Sequence, residues 1–522
     1  MKPVMFFLVN SIDIVRGGLT KAALNQASFF AEMGYETHIL TFNFNTKYPL
    51  IRKKLLELDK VHKDVMIHNM YETFEGYNEP LIITEPTKKR ELVELSEGMV
   101  MDKREGHNAY RLFKNGLYVK YISLNEDGSI HFIDFFNENR YRTKREEYDP
   151  WGNLKKVTYM DLLLNKPRQI IYYDNDGKAY FTQWNDPSKN KVQRILLFNK
   201  QGALTNTFVN DNFSHKLHWL QNIIDKFVSN KAVIVSDARN TDEILIKFNH
   251  PNVAKIWRLH SGHLGHPYNE SAEIASTVEM GFNNINTFDA AVLLTEEQRV
   301  DIEKRIGPQR NLKVIPHYHK TQTNPFKFIF SPIKRDQKLA IVISRFATMK
   351  RIDHIIKGFK IVVEKIPEAR LEIWGYGDQK DNLERLIKEL HLGKNIQIKG
   401  FTQDPDKKYQ KASFSVMASK QEGFCLSILE SMSNQTPVIS YDFKYGPSDM
   451  IKSGENGFVV ENGNIEELAN KMIYLFENPD IALEMGKKAK KHVEKNFGKD
   501  KYKERWLEVV DFALKQKFGK DY

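Results

Sequence analysis

Two glutamates near the C-terminal end of the chain are spaced so that both can face one ligand. Glu422 is followed at once by Gly423, and Glu430 comes eight residues after Glu422. The run Gln-Glu-Gly-Phe-Cys-Leu-Ser-Ile-Leu-Glu predicts a turn from a strand into a helix, with Glu430 about two helical turns further on. Carboxylates at these two places can hold hydroxyl groups at both ends of a ligand such as a sugar joined to a nucleotide.

Two cations, Arg345 and Lys350, lie about 75 residues upstream of this pair. Arginine offers a planar fork of donors and lysine a mobile point charge, a combination suited to a leaving diphosphate. Without a metal, such cations must offset the negative charge that develops as the sugar leaves. Because surface cations are common, the interpretation depends on Arg345 and Lys350 together with Glu422 and Glu430. The four residues predict an enzyme that takes a sugar from a nucleotide diphosphate donor.

Three other features are weaker signals. Gly17 and Gly18 follow a predicted strand and precede a helix, where backbone N–H groups can meet an anion, although glycines also simply make turns. His260 follows another predicted strand and can reach a sugar hydroxyl or the reacting carbon, with a structural or merely exposed histidine as the ordinary alternative. Gly375-Tyr376-Gly377 alone is no more than an αβ turn. No paired cysteines or regular histidine spacing indicate zinc, and no metal site is predicted.

The totals indicate a soluble globular protein of several domains. A chain of 522 residues suits two or three domains, and it contains no run of 18 apolar residues. The first nine residues predict a buried strand rather than a signal peptide. The single cysteine, Cys425, cannot form an internal disulfide, which favours a reducing compartment and the cytoplasm.

The net charge of +11 favours a polyanionic partner, with a merely basic soluble surface as the alternative. Much of the excess lies late in the chain, in residues 487–491 and 499–520, where apolar residues alternate with lysines. This pattern predicts helices that pack on one face and are solvated on the other. Contact with the inner face of a membrane stays open as an alternative.

Two α/β patterns must position the chemical residues. Residues 1–70 and 213–325 show strands alternating with helices and predict one Rossmann-like domain that is split by an insertion. Residues 326–485 show six more strands, at 339–344, 370–374, 396–399, 414–418, 437–441 and 457–460, and predict a second, donor-binding domain. Residues 486–522 are expected to form C-terminal helices that pack back on the N-terminal domain. Every motif above lies just after a strand, where open α/β sheets bind ligands.

The insertion, residues 71–212, has a different pattern. Four glycines, at 128, 152, 177 and 202, are 24, 25 and 25 residues apart, and each comes three residues after an Asn or Asp. Asx side chains cap tight turns and glycine accepts positive φ, so each unit predicts a β-hairpin, and Asn115-Gly116 suggests one more. The resulting antiparallel sheet needs a partner for its face and edges, which indicates an oligomerisation or acceptor-docking module over simple decoration. Asp174-Asn175-Asp176 resembles a metal-binding Asp-x-Asp motif, but its register in the repeat predicts a turn.

The ordered set of motifs resembles a known family. Gly17-Gly18, His260, Arg345 with Lys350, and the run from Glu422 to Glu430 resemble the retaining glycosyltransferases of family 4, which have the α/β GT-B fold of two Rossmann-like domains facing a cleft. Within that family, residues 13–20 (Asp-Ile-Val-Arg-Gly-Gly-Leu-Thr) and the long β insertion resemble the bacterial wall teichoic acid α-glycosyltransferases. The resemblance spans nearly the whole chain.

The resemblance implies a role for each residue. Arg345 and Lys350 would bind the donor diphosphate, Glu430 the ribose, and Glu422 the transferred sugar. His260 would lie near the reacting centre, so His260, Arg345, Lys350 and Glu422 form the expected catalytic set. Backbone groups complete the expected donor site, at Gly17, Gly18, Gly423, Phe424, Cys425 and Leu426.

The implied reaction is a metal-independent, retaining transfer from UDP-glucose or UDP-N-acetylglucosamine, without a cofactor, to hydroxyls of poly(glycerol phosphate) or poly(ribitol phosphate). Glucose is the expected sugar and N-acetylglucosamine the alternative. A homo-oligomer, by resemblance a trimer formed through the insertion, is expected, and nucleic acid is not. The rivals are transfer to a serine-rich adhesin, a non-catalytic acceptor-binding subunit and a nucleotide-sugar epimerase.

Overall fold

The computed structural model describes residues 2–14, 18–77, 79–81, 92–319 and 335–519. The chain divides into two compact units, Met1–Lys255 and Ile256–Tyr522, which are called the N-terminal and C-terminal units below. The division falls inside one strand, β15 (Val253–Arg258).

The N-terminal unit contains a parallel sheet in the order β14-β1-β2-β3. The strands are β1 (Val4–Val9), β2 (Thr37–Thr41), β3 (Val65–Asn69) and β14 (Ala232–Ser236). The helices of this unit are α1 (Gly18–Glu32), α2 (Tyr48–Glu57), α3 (Met70–Glu75), α4 (Leu92–Leu95), α5 (Ser214–Phe227) and α6 (Asp242–Lys247). Strands β2 and β14 are buried at every position, because their apolar runs are covered on both faces as parallel sheets require.

The insertion folds as a ten-stranded antiparallel sheet in chain order, β4 to β13. Its strands are β4 (Val100–Lys103), β5 (Ala109–Lys114), β6 (Leu117–Leu124), β7 (Ile130–Phe136), β8 (Arg142–Tyr148), β9 (Leu154–Asp161), β10 (Lys166–Tyr173), β11 (Ala179–Asp186), β12 (Lys191–Phe198) and β13 (Leu204–Val209). The four predicted turns join β6 to β7, β8 to β9, β10 to β11 and β12 to β13, so the hairpin prediction is confirmed.

The turn chemistry is also as predicted. Each of the four glycines has φ between 77° and 84°, and its N–H donates to the carbonyl of the Asx residue three positions earlier at 2.9–3.1 Å. Asn115 and Gly116 join β5 to β6 with φ of 52° and 80°. Asp174 Oδ1 accepts from the N–H groups of Asp176 at 3.0 Å and Lys178 at 2.8 Å, so the Asp-x-Asp run caps its own turn.

The C-terminal unit contains two parallel arrangements. Strands β15, β16 (Ala290–Leu293) and β17 (Leu312–Val314) pair in that order. A six-stranded sheet follows in the order β20-β19-β18-β21-β22-β23. Its strands are β18 (Asp336–Ile343), β19 (Arg370–Trp374), β20 (Ile396–Gly400), β21 (Ala412–Met417), β22 (Val438–Tyr441) and β23 (Gly457–Val460). All six predicted strands are confirmed.

The helices of this unit are α7 (Ser276–Asn283), α8 (Glu296–Ile306), α9 (Ile352–Lys365), α10 (Lys380–Glu389), α11 (Pro405–Lys411), α12 (Leu426–Ser433), α13 (Pro447–Met450), α14 (Ile465–Glu477), α15 (Pro479–Asn496) and α16 (Lys499–Phe518). Helix α16 buries Trp506 completely and places it 5.3 Å from the guanidinium of Arg258 at the end of β15. The alternation of lysines with apolar residues therefore marks a helix packed on one face, as predicted. Within the described ranges, no helix is long and apolar enough to cross a bilayer.

Candidate active site

The loop that carries Arg345 follows β18 and is fitted against the loop that follows β19. Gly375 and Gly377 have φ of 149° and 155°, a left-handed region that favours glycine. A Cβ at Gly375 would lie 1.8 Å from the carbonyl oxygen of Ser344, and one at Gly377 would lie 2.3 Å from that of Phe346. Side chains are therefore excluded at both positions, which the Gly-x-Gly spacing alone did not reveal.

Arg345 is exposed, and its guanidinium makes no hydrogen bond or ion pair with the residues that the structure describes. Lys350 ends a short 3₁₀ turn (Thr348–Lys350) and forms an ion pair with Glu422. The side chains of Lys350 and Glu422 are 18% and 19% exposed. Ser419 Oγ donates a second hydrogen bond to Glu422 Oε1 at 2.8 Å. Two of the predicted donor-binding residues thus meet directly, and a guanidinium available for an anion lies on the same strand-end loop as Lys350.

The backbone of Glu422 is held by the loop that follows β22. The Glu422 N–H donates to Lys444 O at 2.9 Å, and the Tyr445 N–H donates to Glu422 O at 3.0 Å. The Lys444–Tyr445 peptide bond is cis. The ammonium of Lys444 forms an ion pair with Asp301 of α8, and the Tyr445 hydroxyl donates to Asp301 Oδ2 at 3.0 Å. Helix α8 therefore positions the loop that positions Glu422.

A second carboxylate of α8 faces the same lysine. Glu297 Oε1 lies 3.7 Å from Lys444 Nζ, while its other oxygen is buried without a hydrogen-bond partner in the described part of the chain. Burial raises the pKa of Glu297 to about 7, an effect that Lys444 opposes and the nearby Asp449 and Asp301 reinforce. Burial acts on Asp301 in the same direction, but the hydrogen bond and charge of Lys444 outweigh it and lower the pKa of Asp301. Lys444 thus faces two carboxyl groups whose pKa values are shifted in opposite directions, that of Glu297 upward and that of Asp301 downward.

Gly423 lies in backbone contact with the loop that follows β15. A Cβ on Gly423 would be 2.1 Å from the carbonyl oxygen of His260 and 2.8 Å from Cα of Ser261. The ring of His260 stacks on that of His317, with centroids 5.3 Å apart, and His317 packs edge-on against Phe424 at 5.6 Å. The structure therefore brings His260 to the Glu422-Gly423-Phe424 run, and it adds His317, which sequence reasoning did not assign to the site.

The start of α12 lies directly after this contact. Cys425 adopts φ 68° and precedes Leu426, the first helical residue. Burial raises the pKa of the Cys425 thiol to about 12, and the charges of Glu422 and Glu430 act in the same direction. The thiol is therefore neutral and is not a nucleophile. Glu430 is half-buried and lies about one turn into α12. Its spacing from Glu422 predicted about two helical turns, but the helix begins only at Leu426.

Arg351 is a further positioning residue, which the sequence motifs did not indicate. It adopts φ 44° before α9, and its guanidinium donates to the carbonyl oxygens of Ala418 and Ser419, both at 2.7 Å. It also lies over the ring of Tyr441, 4.9 Å from the centroid. These bonds hold the end of β21, where Ser419 and Glu422 begin the donor loop. Its position directly after Lys350 was the available signal.

The remaining predicted residues belong to the N-terminal unit or are not described. Gly17 lies outside the described residues, and Gly18 is the first residue of α1. Among the residues that are described, no three His, Cys, Asp or Glu side chains are grouped so as to hold a metal ion.

Comparison with known proteins gives one family match and several relatives along the whole chain. Residues 324–492 match the family described as Glycosyl transferases group 1. The chain is 28% identical to the poly(glycerol-phosphate) alpha-glucosyltransferase of Bacillus subtilis (strain 168), over 98% of this chain and 75% of that protein. It is 26% identical to the poly(ribitol-phosphate) alpha-N-acetylglucosaminyltransferase of Staphylococcus aureus (strain COL), over 97% of this chain and 99% of that protein.

A similar structure has also been solved. A crystal structure of a mutant of S. aureus TarM, in complex with Fondaparinux, alpha-GlcNAc-glycerol and UDP, superposes with a TM-score of 0.80 at 24% identity, over 98% of this chain and 99% of TarM. The structural match confirms the predicted α/β, GT-B fold class. The two relatives confirm the resemblance to the wall teichoic acid glycosyltransferases.

Proposed function

We propose that this chain transfers glucose from UDP-glucose to hydroxyl groups of a teichoic acid polymer, because residues 324–492 match the family described as Glycosyl transferases group 1. The transfer would retain the α configuration and need no metal. Both relatives named above act on poly(polyol phosphate) chains, one with glucose and one with N-acetylglucosamine. N-acetylglucosamine is therefore the alternative sugar.

One observation carries the proposal: Lys350 and Glu422 form an ion pair, Arg345 is exposed on the same loop as Lys350, and Gly423, which follows Glu422, packs on the backbone of His260. Arg345 can form paired hydrogen bonds to two phosphate oxygens, since its guanidinium has no partner among the described residues. Lys350 is already oriented by Glu422 and adds a second positive charge. The carboxylate of Glu422, held by Ser419, is an acceptor for sugar hydroxyls. Cations and an acceptor are thus held in adjacent loops.

The proposed step is a single exchange at the anomeric carbon. The bond from C1 of the sugar to the β-phosphate oxygen breaks, and a bond from C1 to the acceptor oxygen forms on the same face. The acceptor proton passes to the departing phosphate oxygen of UDP. Arg345 and Lys350 stabilise the negative charge that develops on the diphosphate. His260 would contact the sugar beside the reacting carbon.

The net charge of +11 supports a polymer of phosphates as the acceptor. A repeating polyanion is drawn to a basic surface, and its affinity should fall as salt is added because exposed charges are screened. We further propose that the enzyme is cytoplasmic and that it assembles into a homo-oligomer through the antiparallel sheet. By resemblance this oligomer is a trimer. Contact with the inner face of the membrane is an additional open alternative.

The proposal is tested by measuring UDP release from UDP-glucose with purified poly(glycerol phosphate) or poly(ribitol phosphate). Glu422→Ala should lower the rate by about 10²–10³-fold, as expected for the loss of a polar group that acts on the reacting centre. Glu455→Ala, an exposed glutamate of the same unit, is the matched control and should have no effect. No release with any UDP-sugar, or equal rates for both variants, would refute the proposal. Release driven by a serine-rich peptide and not by polymer would instead assign a protein acceptor.

A further inference from the structure

Three consecutive leucines are exposed at one end of the insertion sheet. Leu162, Leu163 and Leu164 lie in the turn between β9 and β10 and are 42%, 87% and 47% exposed. The turns at this end, called the distal end below, are residues 115–116, 137–141, 162–165 and 187–190. The four Asx-Gly turns lie at the opposite end of the same strands. Single exposed apolar residues are ordinary, but three in succession call for a function.

The backbone of this turn does not require leucine. Asp161 Oδ1 accepts hydrogen bonds from the N–H groups of the second and third residues after it, at 3.2 and 3.0 Å, and Asn165 has φ 49°. The turn between β11 and β12 is built in the same way. Asp186 Oδ1 accepts from the second and third residues after it, at 3.0 and 3.2 Å, and Asn190 has φ 53°. That turn contains Pro187-Ser188-Lys189 in place of the leucines, so the leucines serve something other than the fold.

The distal end is also strongly basic. Seven Lys or Arg and three Asp or Glu lie in residues 114–117, 137–142, 161–168 and 186–191. Lys166 and Arg168, which follow the leucine turn, and Lys191 of the next hairpin are exposed. These three cations form no ion pair within the described ranges. The exposed leucines are therefore accompanied by an excess of positive charge that is available to a partner.

Three kinds of partner are open to this surface, and their chemistry separates them. A soluble polyanion would match the cations but would leave the leucines in water. A second copy docked through the same end would bury the leucines but would set seven cations against seven. An anionic bilayer offers negative headgroups to the cations and an apolar interior to the leucines, so it matches both features.

We propose that the distal end of the insertion docks on an anionic lipid surface. Leu163 and its two neighbours enter the acyl region, and Lys166 and Arg168 contact the headgroups. The contact is reversible, because three leucines and a few cations bind far more weakly than a helix that spans the bilayer. The membrane contact left open above is thereby assigned to the insertion rather than to the basic C-terminal helices. The inference does not depend on the donor or the acceptor of the transfer reaction.

Sedimentation with phospholipid vesicles tests the proposal on the full chain. The vesicles contain phosphatidylcholine alone or with an equal amount of phosphatidylglycerol. The wild-type chain should bind the mixed vesicles, and binding should weaken without phosphatidylglycerol and with added salt.

Leu163→Ser should lower the partition coefficient about tenfold, because one leucine is lost from the apolar phase. The fold should tolerate the change, since Ser188 occupies the matching place in the neighbouring turn. Leu204→Ser is the matched control and should bind as the wild type does, because Leu204 is 55% exposed at the opposite end of the same sheet.

Charge variants separate the two basic regions of the chain. The double variant Lys166→Ser and Arg168→Ser should weaken binding to the mixed vesicles about 30-fold, the value of two charges near an anionic surface. Lys487→Ser with Lys488→Ser removes two exposed charges of α15 and should leave binding unchanged. Loss of binding in the α15 variant alone would place the contact on the C-terminal helices and overturn the proposal.

Two measurements without lipid test the other partners. Leu163→Ser should keep the molar mass of the wild-type chain in light scattering and its affinity for soluble poly(glycerol phosphate). A lower molar mass would assign the leucines to a contact between copies, and a lower affinity would assign them to the polymer. Either result overturns the proposal, as does the absence of binding to the mixed vesicles or equal binding of the wild type and Leu163→Ser.

Discussion

The contact between Gly423 and the His260 loop gives the sharpest prediction, because it involves backbone on both sides. Adding one methyl group in Gly423→Ala places a Cβ 2.1 Å from the His260 carbonyl oxygen, and neither partner is a flexible side chain. The two loops must therefore separate by about 1 Å, a displacement that can lower a catalytic rate by ~10²-fold. The forced packing should also lower the free energy of unfolding by about 1–3 kcal/mol.

Gly393→Ala is the matched control. A Cβ at Gly393 would meet no atom within 4 Å, and this residue has no positive φ. Its substitution should leave the rate unchanged and leave stability equal or slightly raised, since alanine restricts the unfolded chain. UDP release at saturating donor measures the rate, and urea unfolding measures stability. Wild-type rate and stability in Gly423→Ala would show that these two loops are not in backbone contact.

Two further predictions concern charge. Arg345→Ala should change the free energy of unfolding by less than about 0.5 kcal/mol, because the guanidinium has no partner among the described residues. The same substitution should lower the rate of UDP release by ~10²-fold. Arg385→Ala, at another exposed arginine, is the control and should change neither quantity. The pKa of Glu297 is raised from 4.5 to about 7, so the folded state binds this proton more tightly and stability falls as the pH rises through that window. Glu297→Gln should reduce this decrease in stability with pH. It should also raise the free energy of unfolding at pH 8 by about 1–2 kcal/mol, allowing for solvent screening. Urea titrations at pH 5 and pH 8 measure both effects. Glu303→Gln on the same helix should leave the slope unchanged; an unchanged slope in Glu297→Gln would count against a buried, ionisable Glu297.

Local chemistry explains how much of the fold could be predicted. The Asx-Gly turns of the insertion depend on residues within a few positions of one another, so the glycine spacing alone indicated the hairpins. The apolar runs of the parallel strands likewise predicted the six-stranded sheet of the C-terminal unit. The short helix α2 and the strand β3 were not predicted, because their sequences lack comparably regular patterns. Strand β3 is positioned by its pairing with β2.

The candidate site was predictable only in part, for a related reason. Lys350 and Glu422 were paired on the chemistry that a donor requires, although they are 72 residues apart. Lys444 and Asp301, which are 143 residues apart, escaped notice because no local pattern connects them.

The most direct test of the account is mass spectrometry of a teichoic acid polymer after incubation with the full chain and a choice of UDP-sugars. UDP-glucose should add hexose units to poly(glycerol phosphate) or poly(ribitol phosphate), and the added units should disappear with Glu422→Ala. A polymer whose mass is unchanged with every UDP-sugar would contradict it.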